Sequence, residues 1–388
     1  MATHSPARDV GTAVPIQPAG GLARVSRSSL AEALGIGANV WDGLVAGGSS
    51  SPFMSWAWHR AWADSASPSE VRASEVLKLC GDDGSLRAVL PVRVGRERYR
   101  RMNVRALTWA IGDAGCPDEL DLPALPEADM QLLAASLDAL PWQIIILSNL
   151  ADDAPQATRL RDALAARGHA VRQRRLWRCP QLTLPASWEE YLASLSPNRR
   201  QILRRKERSL RRDHTVELVD YGGDRLDLGW RHLISLHEQR WEGPGAFTDP
   251  RIARLQRQFA GEMARQQRLW LTTLDVDGQP AAAWYGFTSE STVYFYQGGR
   301  DPRRERDSVG LVLMGHMVRR AIERGFRTFN FLRGDEAYKR QWTSSSRTTR
   351  EMVVFRRGWS GLALRALEAV AGLRGGRGGT GGGGGGDG

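Results

Sequence analysis

Residues Gly310–Leu332 read "GLVLMGHMVRRAIERGFRTFNFL". Val309, Leu313, Met317 and Ile322 recur at helical spacing, Gly325 stops the helix, and Thr328–Phe331 follow as a short buried strand. A hairpin stands before this unit. "WLTTLDVDGQPAAAWYG" (Trp270–Gly286) reads as strand, turn and strand, with Gly278 free to take the positive φ that a tight turn needs. The same order occurs nearer the N-terminus. "VLKLCGDDGSLRAVLPV" (Val76–Val92) is a hairpin about Gly84, and "MQLLAASLDAL" followed by "WQIIILSNL" is a helix and a buried strand. Two copies of hairpin, third strand, helix and strand imply an α+β (α/β mixed-sheet) fold built from two related domains.

The expected boundaries are 26–184 and 185–365, flanked by a disordered leader at 1–25 and a helix end with a Gly-rich tail at 366–388. Each domain is expected to form its own central sheet. The first closes with a helix at Ala154–Arg167 and a strand through Val171 and Leu182. The second closes with the strand "TREMVVFRR" and a helix from Trp359 to Leu373.

A chain of 388 residues fits about two domains. Lys and Arg total 54 against 43 Asp and Glu, a net charge of +11. That balance favours anionic partners such as nucleic acid, acidic lipid or phosphorylated small molecules. The 3 cysteines lie far apart with no CxxC, and the 7 histidines form no HExxH, so neither a disulfide framework nor a metal site is expected. No apolar run reaches the roughly 18 residues of a membrane span, and the leader lacks an apolar core, so a cytoplasmic protein is expected.

Four stretches can carry chemistry. "LSPNRRQILRRKERSLRRD" opens with Ser196 as N-cap and Pro197 at the first helical position. Its run from Arg199 to Arg212 reads either as a solvated helix face or as a surface for phosphate or nucleic acid. "HEQRWEGPGAF" (His237–Phe247) ends a helix in a loop where Trp241 and Glu242 would stand beside a ligand, or in an ordinary cap and turn. "YFYQGGRDPRRERDSVG" (Tyr294–Gly310) runs from a strand through an arginine loop to a helix start, an arrangement suited to phosphate. "FNFLRGDEAYKRQW" (Phe329–Trp342) places Arg333, Asp335, Glu336, Tyr338 and Lys339 just past a strand end, where α/β-type domains hold ligands. Tyr338 can move a proton and Lys339 can steady developing negative charge. The plainer alternative is that Asp335 and Lys339 pair across a turn.

Together "FLRGDEAYKRQW", "YFYQGGRDP…SVG", the "RWEG" loop and the "SPNRRQILRRKERSLRR" helix resemble the BioF2-like/CelD branch of the GNAT N-acyltransferases, related to the tandem-GNAT Fem aminoacyl-transferases. The resemblance spans roughly residues 30–360. It implies transfer of an acyl group from a thioester, acyl-CoA as co-substrate, to an amine or hydroxyl of a cell-envelope or polysaccharide-related acceptor. It puts the CoA pyrophosphate at Gly298–Gly310, with Tyr296, Arg303, Arg306, Ser308, Val309 and Gly310 as binding residues. Lys339 matches the lysine beside the acceptor channel of the Fem relatives. Asp335, Tyr338, Lys339 and Glu242 become the catalytic candidates, and Trp241, Arg333 and Glu336 the acceptor contacts. The Gln/Arg-x-x-Gly-x-Gly/Ala signature of GNAT proteins is reduced here to Ser308-Val309-Gly310. An aminoacyl-tRNA donor therefore stays open, as does a non-catalytic GNAT shell that binds nucleic acid or an anionic polymer. The first copy has "LSNLADD" in place of "LRGDEAYKRQW" and is expected to be degenerate. A place beside membrane machinery fits such acceptors.

Overall fold

A computed structural model describes residues 23–48, 51–100, 102–240 and 245–375, with side chains described to Leu367. The first half runs β1 (Arg24–Ser29), α1 (Leu30–Leu34), α2 (Ala38–Ala46), α3 (Trp56–Ser65), α4 (Pro68–Arg72), β2 (Ser74–Cys80), β3 (Leu86–Tyr99), β4 (Met102–Trp109), α5 (Met130–Leu137), β5 (Ile144–Leu150), α6 (Pro155–Ala166) and β6 (Ala170–Thr183). The second runs α7 (Trp188–Ser194), α8 (Pro197–Asp213), β7 (Val216–Asp220), α9 (Leu226–Arg240), α10 (Pro250–Arg265), β8 (Leu269–Val276), β9 (Gln279–Ser289), β10 (Thr292–Arg300), α11 (Val309–Glu323), β11 (Thr328–Asn330), α12 (Ala337–Arg340), β12 (Ser346–Phe355) and α13 (Trp359–Gly375). β1 begins at Arg24, inside the segment expected to be a leader; residues 1–22 of that leader and the tail beyond Gly375 lie outside the described residues.

The mixed α/β fold is as expected, and the internal repeat is visible in the pairings. β2, β3 and β4 form an antiparallel meander, and β5 returns parallel to β4 after α5. β8, β9 and β10 repeat the meander, and β11 returns parallel to β10 after α11. Both hairpin glycines have the required positive φ, 77° at Gly84 and at Gly278.

The expectation of two separate sheets is overturned. The described strands form one 12-stranded sheet in the order β1-β2-β3-β4-β5-β12-β6-β11-β10-β9-β8-β7. The cause is an exchange at the centre. β12, from the end of the chain, inserts between β5 and β6 of the first half. β6 in turn pairs its last residues with β11. Sequence periodicity shows that a strand exists but not which neighbour takes its hydrogen bonds.

The two halves also share a core. Trp58 of α3 meets Phe259 of α10 edge-on at 4.9 Å, and Phe53 meets Phe287 of β9 at 5.7 Å. Burying each such ring contributes about 1.5–3 kcal/mol, so the halves stabilise each other. A smaller cluster under α11 holds Trp284, Phe295, Phe329 and Phe331.

One contact fixes the height of α9 over the sheet. A Cβ at Gly299 would stand 2.3 Å from the backbone of Leu236 and His237, whereas one at Gly310 would meet nothing nearer than 3.5 Å. Gly299→Ala should therefore lift α9 and cost about 1–3 kcal/mol. Gly310→Ala should leave the melting temperature nearly unchanged. Paired thermal melts check this, and equal melting temperatures for the two variants would show that α9 does not bear on β10.

Candidate active site

The site grows from a split in the sheet. β10 pairs with β11 only from Thr292 to Tyr294, against Thr328–Asn330. Beyond that point β10 continues toward Arg300 paired with β9 but not with β11, while β11 ends and the chain turns away. Its pairing with β9 slips between Phe295 and Gln297, so Tyr296 is a bulged residue. A bulge re-aims backbone groups and side chains at a strand's free margin. Phe295 and Phe331 face each other at 6.5 Å on one side of the split, and Tyr338 meets Phe295 edge-on at 6.5 Å.

The start of α11 stands at one end of this cleft. Ser308 adopts φ 56°, left-handed for a non-glycine residue, and its side chain makes no cap bond. The first N–H groups of a 15-residue helix are thus not capped by that side chain. Of the expected phosphate residues, Val309 is buried and Arg303 is exposed and bound to Asp301. The Arg306 carbonyl accepts from Lys206 Nζ at 2.9 Å, which brings α8 alongside the loop. Tyr296 differs: its hydroxyl donates to the Gly115 carbonyl at 2.5 Å and accepts from Gln256 Nε2 at 2.7 Å, so its ring ties the halves together.

The turn after β11 is densely bonded. Lys339 is 4% exposed; its Nζ donates to the Arg333 carbonyl at 2.7 Å and pairs with Glu336 at 2.9 Å. Asp335 is exposed and pairs with Arg340 at 2.9 Å. Thus the pair across the turn is Lys339 with Glu336, not with Asp335. The Arg240 guanidinium stacks 5.3 Å over the Tyr338 ring. Because α9 rides on β10 and Tyr338 follows β11, this contact bridges the mouth of the split. Burial holds the Tyr338 hydroxyl above its ordinary pKa. His237, one helical turn before Arg240, is buried; its Nδ1 faces the Gly298 carbonyl at 3.2 Å, and its Nε2 accepts the Ala246 N–H. Burial pushes its pKa down. Trp241 and Glu242 lie outside the described residues.

Sequence reasoning missed the acids that the first half contributes. The loop after β4 carries positive φ at Gly112, Gly115, Cys116 and Glu119 and folds over the end of β11. Asp118 accepts the Arg333 backbone N–H at 2.9 Å and pairs with its guanidinium at 3.2 Å. Asp113 takes the same guanidinium at 2.7 Å. Glu119 accepts from Asn330 Nδ2 at 2.5 Å, at the apex of the split. Burial raises Asp118 to about 6, against the pull of Arg333, and raises Glu119 to about 7, against the pull of Arg347. The only hint in the sequence was "GDAGCPDELD", a glycine- and proline-marked turn rich in acids.

Residues 197–340, from α8 to α12, match the family model described as Acetyltransferase (GNAT) domain. Among solved structures, the chain is similar to the C-terminal domain of a putative lysylphosphatidylglycerol synthetase from Agrobacterium fabrum. The identity is 15%, with 89% of this chain and 97% of that chain covered and a TM-score of 0.50. It is also similar to L-PGS from Bacillus licheniformis, at 12% identity, 78% and 90% coverage and a TM-score of 0.47. A tandem GNAT protein from the clavulanic acid biosynthesis pathway aligns at 10% identity, over 87% of this chain and 100% of that one, with a TM-score of 0.45. The first of these likenesses is one of fold. No curated protein matches the chain significantly.

Proposed function

We propose that the chain is an N- or O-acyltransferase of the BioF2-like/CelD kind that uses an acyl-CoA thioester. The observation that carries this reading is the β10–β11 split with its bulge at Tyr296, inside the matched GNAT domain. The thioester lies along the split, its phosphates at the Ser308 end of α11 and its carbonyl at the bulged backbone of β10. The acceptor enters from the face covered by the first half, past Arg333 and Tyr338. Its nitrogen or oxygen attacks the thioester carbonyl directly, and CoA leaves as the thiolate.

The proton of the acceptor goes to Glu119, whose carboxylate stands at the apex of the split with an ionisation near neutrality. Asp335 and Glu336 shape the α12 turn through their own ion pairs, and Lys339 supplies positive charge next to it. The basic surface and the family resemblance favour a cell-envelope acceptor.

Thermal stabilisation tests the donor. A ligand that binds only the folded chain stabilises it by about 2.7 kcal/mol at a hundredfold excess over its Kd. CoA should raise the melting temperature, and an analogue without its phosphates should not. Equal shifts from both, or none from CoA, would end the acyl-CoA reading.

A specific observation favours an anionic partner for α8. Arg204, Arg205 and Arg208 are exposed with no ion-pair partner recorded among the described residues, unlike Arg211 and Arg212. This helix either extends the phosphate grip of the α11 loop or takes a larger polyanion such as aminoacyl-tRNA. Arg204→Glu with Arg205→Glu should weaken that binding, with a shallower salt dependence than wild type. Folding should change by under about 0.5 kcal/mol, because both side chains are exposed. Unchanged affinity for both CoA and tRNA would leave α8 a solvated face.

A further inference from the structure

The last described helix is attached by the side of it that is poorer in large apolar residues. Gly361 and Leu364 of α13 are buried, and Leu364 joins Val104, Ile144, Val353 and Phe355 on the sheet. The other large apolar residues described in this helix face outward: Trp359 is 89% exposed, Leu362 53% and Leu367 46%. At about 3.6 residues per turn, Trp359, Leu362 and Ala366 fall on one stripe turned away from Leu364. Single exposed leucines are ordinary, but a nearly bare tryptophan with two leucines in nine residues is a patch that needs a partner.

Charge selects the partner. From Trp359 to Arg377 the sequence holds Arg365, which is exposed, then Arg374 and Arg377, against one acid, Glu368; Arg356 and Arg357, just before, are spent on the carbonyls of Asp138, Leu140, Trp142 and Arg167. A second copy docked on this face would set arginines against arginines, which costs affinity. An anionic bilayer accepts both features. Tryptophan and leucine settle at the headgroup level, and arginines meet the lipid phosphates on long apolar stems. The patch is large enough for surface attachment only, since no helix among the described residues is long and apolar enough to cross a membrane.

We propose that α13 docks the protein on an anionic lipid surface, with Trp359, Leu362 and Leu367 entering the headgroup region. The inference does not rest on acyl transfer, and its test needs no turnover. The full chain should sediment with vesicles of phosphatidylglycerol mixed with phosphatidylcholine, less so as salt is raised, and weakly with phosphatidylcholine alone. The triple variant Trp359→Ser, Leu362→Ser, Leu367→Ser should lower the partition about tenfold or more with an unchanged melting temperature, because all three are exposed. Failure of the wild-type chain to sediment with the anionic vesicles would overturn the proposal, as would undiminished binding by the triple variant. A concentration-dependent dimer that the triple variant abolishes, in a protein that ignores both vesicles, would assign the patch to self-association instead.

Discussion

Glu119→Gln should lower kcat/KM by about 10²–10⁴-fold, the usual contribution of a positioned general base, read as release of the CoA thiol in the presence of an acceptor. The amide keeps an oxygen that can accept from Asn330 Nδ2, so the hydrogen bond at the apex of the split survives. What is lost is the group that can take a proton. The pH profile makes the distinction from a structural role. Glu119 ionises at about 7, raised by burial from its ordinary value. The wild-type rate should therefore climb as pH rises through neutrality, and the variant should lose that limb.

Stability moves the other way. A carboxyl whose folded pKa is raised contributes stability that is fully present below its unfolded pKa, near 4.5, and lost as pH rises through about 7. Wild type should lose melting temperature over that window, and Glu119→Gln should lose less. A variant with the wild-type rate and the wild-type acidic limb would remove Glu119 from the mechanism.

The elements of both halves were legible because their signals are local. Helical spacing from Val309 to Ile322, glycine turns at 84 and 278, and the Ser196-Pro197 start of α8 each follow from neighbouring residues, and the structure has all of them. The exchange of β12 into the first half was not legible. Val353 pairs with Ile146 and with Arg172, partners about 200 and 180 positions away, and no pattern within a strand names them. The same limit hid the acids. Asp118 and Glu119 gain their character only because a loop of the first half is buried against Arg333 and Asn330 of the second. The residues after β11 drew attention in the sequence as a dense polar cluster at a strand end. The carboxylates that face them sit more than 200 positions earlier, in what reads as an ordinary turn.

Lys339→Met should reduce turnover by about 10²–10³-fold, the cost of removing one electrostatic stabiliser from a dry site. From the sequence alone, such a change would leave stability untouched, because methionine keeps most of the stem. The structure adds a second consequence. Lys339 is buried, and its ammonium satisfies the Arg333 carbonyl as well as pairing with Glu336. Removing it leaves that carbonyl without its partner and costs about 1–3 kcal/mol, so the melting temperature should fall too. The two effects separate in the kinetics. If Lys339 only holds the turn, the damage should be to substrate positioning. KM would then rise, the CoA-induced thermal shift would shrink, and cooling would restore much of the rate. If its charge stabilises the developing oxyanion, kcat falls while the CoA shift persists, and cooling restores nothing. Tyr338→Phe gives the control, since it keeps the ring under Arg240 and against Phe295 and removes only the hydroxyl. It should cost less than Lys339→Met if that hydroxyl orients the acceptor, and as much if it delivers a proton to the leaving thiolate. Turnover within about threefold of wild type for Lys339→Met, below even the effect of one lost stabiliser, would confine Lys339 to holding the Arg333–Glu336 turn.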